Sequence, residues 1–188
     1  HKDRVVFYIG NIKNLTVNSS TKFNSYNLFK ADGLSYGVYY SEQADFRYKD
    51  STLFIENPSP GFRVFIESEE LINEKIIFSS SNNNFQYSET LLTGCINIIN
   101  SKLLDFEFES DNTSCEDALN IISSSGSIKS IEIKNSEYDG VDFDFSDFNI
   151  EKLTVSNSGN DCGDFSYGIY IVKEAYLLNC EDKAFSIG

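Results

Sequence analysis

The chain has no Met, no Trp, two prolines, four cysteines and one histidine in 188 residues. That histidine is His1, at the terminus, so a His-based catalytic triad or a His metal site has no support. Cys95, Cys115, Cys162 and Cys180 make neither a CxxC pair nor any other metal-ligand spacing, which excludes a zinc module. Basic residues are scarce, 15 against 29 acidic ones, and the formal charge of −14 argues against nucleic acid or an anionic membrane as partner. No glycine-rich phosphate loop of recognised form occurs. No apolar run approaches the roughly 20 residues of a membrane helix, so no membrane insertion is expected. The absence of an initiator Met and of a signal peptide suggests a processed or excised piece. Residues 185–188 stop inside a strand pattern without a polar cap, so further coils or an assembly partner are expected at the C-terminal side.

What is present is a repeat. In strides of 22, apolar residues recur as Leu119, Val141, Gly163 and Phe185; as Ile121, Phe143, Phe165 and Ile187; and as Ile128, Ile150 and Val172. Ile131, Leu153 and Ala175 form a further column, and Ile133, Val155 and Leu177 another. Polar residues keep column too: Asn120, Asp142, Asp164 and Ser186; Asp117, Asp139, Asp161 and Lys183; Asn135, Asn157 and Asn179. A fixed period of this size marks a solenoid, whose units bury their apolar faces only by stacking.

Each period alternates apolar and polar residues over three to five positions, as in Val141-Asp142-Phe143-Asp144-Phe145, and leaves no room for an ordinary helix. The leucine-rich consensus is missing. The expected fold is therefore all-β: a single-stranded parallel β-helix, one domain over residues 1–188, with about 22 residues per coil and roughly seven coils. Residues 91–188 read as regular coils and 1–90 as less regular ones. Residues 12–20 echo 150–158. Residues 21–50 read as a long excursion, in which Tyr36, Tyr39 and Tyr40 either stack on sugar rings or cover one edge of the solenoid. Farther on, 96–101 matches 131–136 and 104–108 matches 141–145, which predicts an inserted loop around 110–116.

Equivalent residues on successive coils lie about 4.8 Å apart, and that gives the polar columns meaning. Stacked Asn135, Asn157 and Asn179 read as a structural ladder at a turn. Asp139 and Asp161 become near neighbours, as do Asp142 and Asp164, with Asp144 beside them and Lys183 above Asp161. Carboxylates so close demand a proton, a cation such as Ca²⁺, or turn amides. Turn capping is the plainer account of Asp117, Asp139 and Asp161. Asp142 and Asp164 face outward, where like charges opposite each other weaken a sheet, and they are the leading candidates for binding or metal ligation. Paired Asp at such separations also suits a glycosidase, which makes Asp139 and Asp161 weak catalytic candidates with Lys183 as a base. The cysteines read as free, buried thiols. Asn14, Asn18 and Asn112 head glycosylation sequons.

The phrases Cys115-Glu116-Asp117-Ala118-Leu119-Asn120-Ile121, Asp139-Gly140-Val141-Asp142-Phe143-Asp144-Phe145-Ser146, Gly159-Asn160-Asp161-Cys162 and Asp182-Lys183-Ala184-Phe185-Ser186-Ile187-Gly188 resemble the pectate-lyase-like superfamily of parallel β-helix proteins, and within it bacterial surface or exported members without settled activity. The resemblance implies a right-handed solenoid, extracellular or cell-surface, that meets polysaccharide. The His motifs of its hydrolases and epimerases are absent, so no catalytic residue carries over. The expected function is a surface scaffold binding polysaccharide or cations through its acidic face; a polysaccharide lyase or glycoside hydrolase is the alternative, and a structural rod of an adhesin, fibre or envelope assembly the third.

Overall fold

The computed structural model describes residues 26–81 and 92–188. Their regular structure is all strand: β1 Asn27–Phe29, β2 Gly37–Tyr40, β3 Asp45–Lys49, β4 Thr52–Glu56, β5 Val64–Glu67, β6 Glu70–Ile72, β7 Lys75–Ser79, β8 Gly94–Ile99, β9 Lys102–Thr113, β10 Asp117–Ile122, β11 Ser125–Ser136, β12 Asp139–Asp144, β13 Asp147–Ser158, β14 Gly163–Ser166, β15 Ile169–Cys180 and β16 Phe185–Ile187. No helix among these residues is long and apolar enough to cross a membrane.

The strands stack into a β-solenoid of about six turns. One sheet, here sheet A, runs β1-β2-β5-β8-β10-β12-β14-β16; the other, sheet B, runs β15-β13-β11-β9-β7-β4-β3, with β6 also beside β9. From β5 and β4 onward every pairing is parallel. The apolar columns read from the sequence are the pairing register: Leu119 lies beside Val141 and Val141 beside Gly163, while Ile131 lies beside Leu153 and Leu153 beside Ala175. Their side chains fill the interior, where Ile96, Leu119, Ile131, Val141, Phe143 and Leu153 are wholly buried.

Two hydrogen-bonded columns turn the chain. At one corner Asn135, Asn157 and Asn179 sit at φ 55°, 59° and 55°. Each donates downward, Asn179 to Asn157 and Asn157 to Asn135, both at 2.9 Å, and Asn135 ends the series on the Asp111 carboxylate at 2.8 Å. This ladder is exposed rather than internal. Inside the opposite corner runs a buried serine column that the sequence reading missed. The Ser124 hydroxyl accepts from the Ser101 amide and that of Ser146 from the Ser124 amide, each at 3.0 Å. Where the column reaches Gly168, the Tyr170 hydroxyl takes over as acceptor from the Ser146 amide. Gly126, at φ 128°, is the one corner position where any side chain would strike a backbone carbonyl, that of Leu103.

Three expectations are corrected. The step between residues 94–99 and 117–122 is one coil of 23 residues, not 35, because β8 pairs with β10 and β9 with β11. Residues 110–113 therefore belong to β9, and the extra residue is absorbed by register shifts between Gly126 and Ser130 instead of an inserted loop. Residues 27–49 form antiparallel strands, β1 on β2 and β3 on β4, that close the N-terminal side of both sheets. The β3–β4 turn places Asp50 and Ser51 at φ 50° and 55°, as a two-residue hairpin of this twist requires. The echo at residues 12–20 lies outside the described residues.

The cysteines are paired, not free: Cys95 with Cys115 and Cys162 with Cys180, separated by 20 and 18 residues. Each separation falls just short of one circuit, so the two sulfurs meet where a coil returns to its start. Column logic compares equal positions on different coils and was blind to a bond within one coil. By loop-closure entropy each bond stabilises by about 3 kcal/mol. Cys162→Ser/Cys180→Ser should therefore lower the urea midpoint clearly, and an unchanged midpoint would show that the second bond is not formed. In the ladder, Asn157→Ala should lose about 1–2 kcal/mol from hydrogen bonds and left-handed strain together, and Asn157→Gly measurably less, since glycine accepts the positive φ. Equal losses would remove strain from the account.

Candidate functional site

The outward column of sheet A runs Tyr39, Phe65, Asn97, Asn120, Asp142, Asp164 and Ser186, each hydrogen-bonded neighbour in register with the next. Its first four members are buried; Asp142, Asp164 and Ser186 are half-buried. The amide members satisfy themselves. Asn97 donates to the carbonyls of Val64 and Gly94 and accepts from the Gly94 amide. The Asn120 amide nitrogen lies 2.7 Å from the Thr93 hydroxyl, 3.3 Å from Asp117 Oδ2 and 3.2 Å from Asp142 Oδ2. Asn120 thus joins a buried carboxyl to a half-buried one.

Burial sets the charge state of these acids. Asp117 is pushed up to about 7 and Asp142 to about 9, in each case first because the carboxylate is stripped of water. For Asp142 the charges of Asp117, Asp144, Asp164 and Asp139 add to the effect. Asp139 and Asp164 are also raised, again chiefly by burial. The repulsion foreseen in the sequence is therefore relieved by protons.

The neighbouring column caps turns. Asp139 Oδ1 accepts from the Asn160 side chain at 2.7 Å and the Asp161 amide at 2.8 Å. Asp161 is buried; its Oδ1 accepts from the Lys183 amide at 2.9 Å, and its Oδ2 lies 3.5 Å from Lys183 Nζ. Lys183 also binds Asp182, and that hydrogen bond holds its ammonium above the usual lysine value. Such an ammonium is protonated at neutral pH.

Just past β12 and β14 the chain turns at Phe145 and Tyr167, with φ 51° and 49°. Bulky aromatics rarely enter this region. Their rings stack 5.0 Å apart at 4° and are 60% and 68% exposed. These two residues, which the sequence reading took as part of a strand and a turn, lie one step beyond Asp144 and Ser166 on the acidic face. The signal was available in the column Asn100, Ser123, Phe145, Tyr167, where turn formers give way to aromatics. The tyrosines singled out earlier are placed otherwise. Tyr36 is buried, donating to Glu74 at 3.2 Å; Tyr39 packs on Phe65; Tyr40 is half-buried against Phe46. They cover the solenoid.

Among the described residues no group of three or more carboxylate, cysteine or histidine side chains is arranged to hold a metal ion. Asp142 and Asp164 are a pair in register, and both carboxyls are raised, which does not fit a resident calcium ion. Neither of two polar depressions, lined by Tyr40, Asp45 and Asn57 and by Asn112, Asn135 and Asn157, includes any of these acids.

A carboxyl with a raised folded value binds its proton more tightly in the native state. Its stabilising effect is complete below the ordinary carboxyl range and is lost as pH climbs towards the folded value. Asp142→Asn removes that loss and extends the amide column of Asn97 and Asn120. It should raise the melting temperature at pH 7–8 by about 2–8 °C, for about 1–2 kcal/mol, and leave it nearly unchanged at pH 3.5. A lower melting temperature at pH 7 would mean that Asp142 is ionised and paired. Comparison of the chain with known protein families, with curated proteins and with solved structures gives no match.

Proposed function

We propose that this chain is an extracellular or cell-surface scaffold, a right-handed β-helix of the pectate-lyase-like superfamily, that binds polysaccharide through the outer face of sheet A. One observation carries the reading: an exposed, strained aromatic pair, Phe145 and Tyr167, flanks Asp142, Asp144 and Asp164. Left-handed aromatics contribute nothing to the interior, so their cost of about 1–3 kcal/mol each is unexplained by folding and points to function. Flat rings suit the apolar faces of sugars, and neutral or half-neutral carboxyls exchange hydrogen bonds with hydroxyl groups. The two disulfides are in keeping with an oxidising compartment. Cations fit less well, since a calcium site on Asp142 and Asp164 would first have to expel their protons.

A second reading rests on the unequal burial of the pair. With Asp142 raised further than Asp164, the first suits a general acid and the second a base or nucleophile of a glycoside hydrolase. Lys183 is a poor base for the lyase version because Asp161 and Asp182 hold it charged.

A polysaccharide array, with and without calcium, distinguishes these readings. The wild type should retain a neutral or uronic glycan without calcium, Tyr167→Ala should weaken it at least tenfold, about 1.4 kcal/mol, and Asp142→Asn/Asp164→Asn should also weaken it. Release of reducing ends from the retained glycan, lost in the double variant, would favour the hydrolase. Calcium-dependent retention would restore the cation reading. No retention of any glycan would sink the proposal and leave the structural rod.

A further inference from the structure

β15 and β16 are the edge strands of the two sheets, and β15 departs from the strands beneath it in one respect. Its outward positions are apolar. The column that reads Lys102, Ser125 and Asp147 ends at Ile169; Ser127 and Asn149 end at Ile171; Glu109, Glu132 and Thr154 end at Tyr176; Asp111, Lys134 and Ser156 end at Leu178. Interior packing does not require this change, because outward residues never reach the core. Ile169, Ile171, Tyr176 and Leu178 are 53–69% exposed, and Ile187 of β16, on the same side of the solenoid, is 84% exposed.

The order of residues along β15 suggests what covers them. Place a second β15 antiparallel beside the first, with a two-fold axis between Lys173 and Glu174. Lys173 then faces Glu174 of the second copy, and Glu174 faces its Lys173. Going outward from the axis, Ile171 faces Tyr176 and Ile169 faces Leu178; on the inner side, Val172 faces Ala175 and Tyr170 faces Leu177. Every pair is either opposite in charge or apolar on both sides. The strand bends around a corner of the solenoid at this point, since Ile150 pairs with Val172 and Lys152 with Glu174 while residue 173 is skipped. A two-fold axis through the corner carries one arm of the bend onto the other, so the bend itself survives the pairing. Glu174 has no cation within its own chain, only the Tyr176 hydroxyl at 3.5 Å, whereas Lys173 already pairs with Glu151 at 3.1 Å.

We propose that this face is a tail-to-tail, two-fold interface between two copies of the chain, in which β15 strands pair antiparallel about Lys173 and Glu174. Unpaired strand edges readily template such pairing, and a closed two-fold contact uses the edge up instead of propagating it. The interface would satisfy the open backbone of both strands and remove the apolar outward residues from water in one step. It goes beyond sugar binding and does not depend on it.

The test is the mass in solution, by light scattering behind size exclusion and by sedimentation, for the wild type and three exposed charge variants. The wild type should be a concentration-dependent dimer. Lys173→Glu and Glu174→Lys each oppose like charges twice and should weaken the dimer at least tenfold. The combined swap K173E/E174K restores both pairs and should recover it, and mixing the two single variants should yield a mixed dimer. Far-ultraviolet circular dichroism checks that all variants remain folded. A wild type that is monomeric up to 100 µM, on the order of a weak interface, would overturn the proposal. So would association that survives both single swaps, because it would use another surface. A larger open-ended assembly that the combined swap fails to restore would point to head-to-tail stacking instead and overturn the two-fold register.

Discussion

Parallel stacking makes each residue the neighbour of its own counterpart. When coils lie about 4.8 Å apart in register, every column must be made of groups that tolerate themselves. Branched and aromatic side chains do so by packing, as Phe143 does on Phe165 with ring centres 5.1 Å apart. Amides do so because each is both donor and acceptor, as in the chain from Asn179 through Asn157 and Asn135 to Asp111. Hydroxyls do so by accepting from the coil below while donating to their own strand, as Ser124 does through the Ile122 carbonyl. Carboxylates are the exception, having acceptors only. The structure handles them by opposing an acid to a backbone amide, as with Asp139 and Asp161, or by burial that keeps the proton on, as with Asp142.

The same constraint explains how much was legible. Columns recur in the sequence because they are neighbours in space, so the period, the strand type, the apolar interior and the Asn ladder could all be read from residues 117–188. Where the period slips, the reading slipped. One additional residue between Phe106 and Phe108 changes the step from 22 to 23, and a spurious match of 96–101 to 131–136 then mistook a sheet A strand for a sheet B strand. Both carry Ile-x-Ile followed by Asn-Ser, because each ends at a corner; local sequence reports the corner but not which corner it is.

Contacts that run around a coil, instead of along the stack, left no columnar trace. The disulfides join position to position within one circuit, and the Tyr170 hydroxyl substitutes for a serine of another residue number two places away. The antiparallel strands β1 to β3 likewise obey local hairpin rules and not the period. At the candidate site, Asp142 and Asp164 were legible as outward acids, whereas Phe145 and Tyr167 were not. Alternation assigned Phe145 to the interior, as the next apolar residue after Phe143, and only a backbone at φ 51° turns it out.

The two corners that use the left-handed conformation make the case for that aromatic pair by comparison. Asn at the ladder corner offsets its strain with a hydrogen bond to each neighbouring coil, and Asn tolerates the conformation intrinsically. Phe145 and Tyr167 form no such ladder and are bulky residues for which the conformation is least favourable. Their mutual stacking is worth about 0.5–1.5 kcal/mol, less than the combined strain of two positions. The earlier coils place Asn100 and Ser123 at the same corner, so the fold itself is content with small polar residues there. Aromatics appear only on the coils where the outward column changes from amide to carboxyl. Two departures from the economical solution, in adjacent columns and on the same two coils, are better explained by one shared ligand than by two independent accidents of packing.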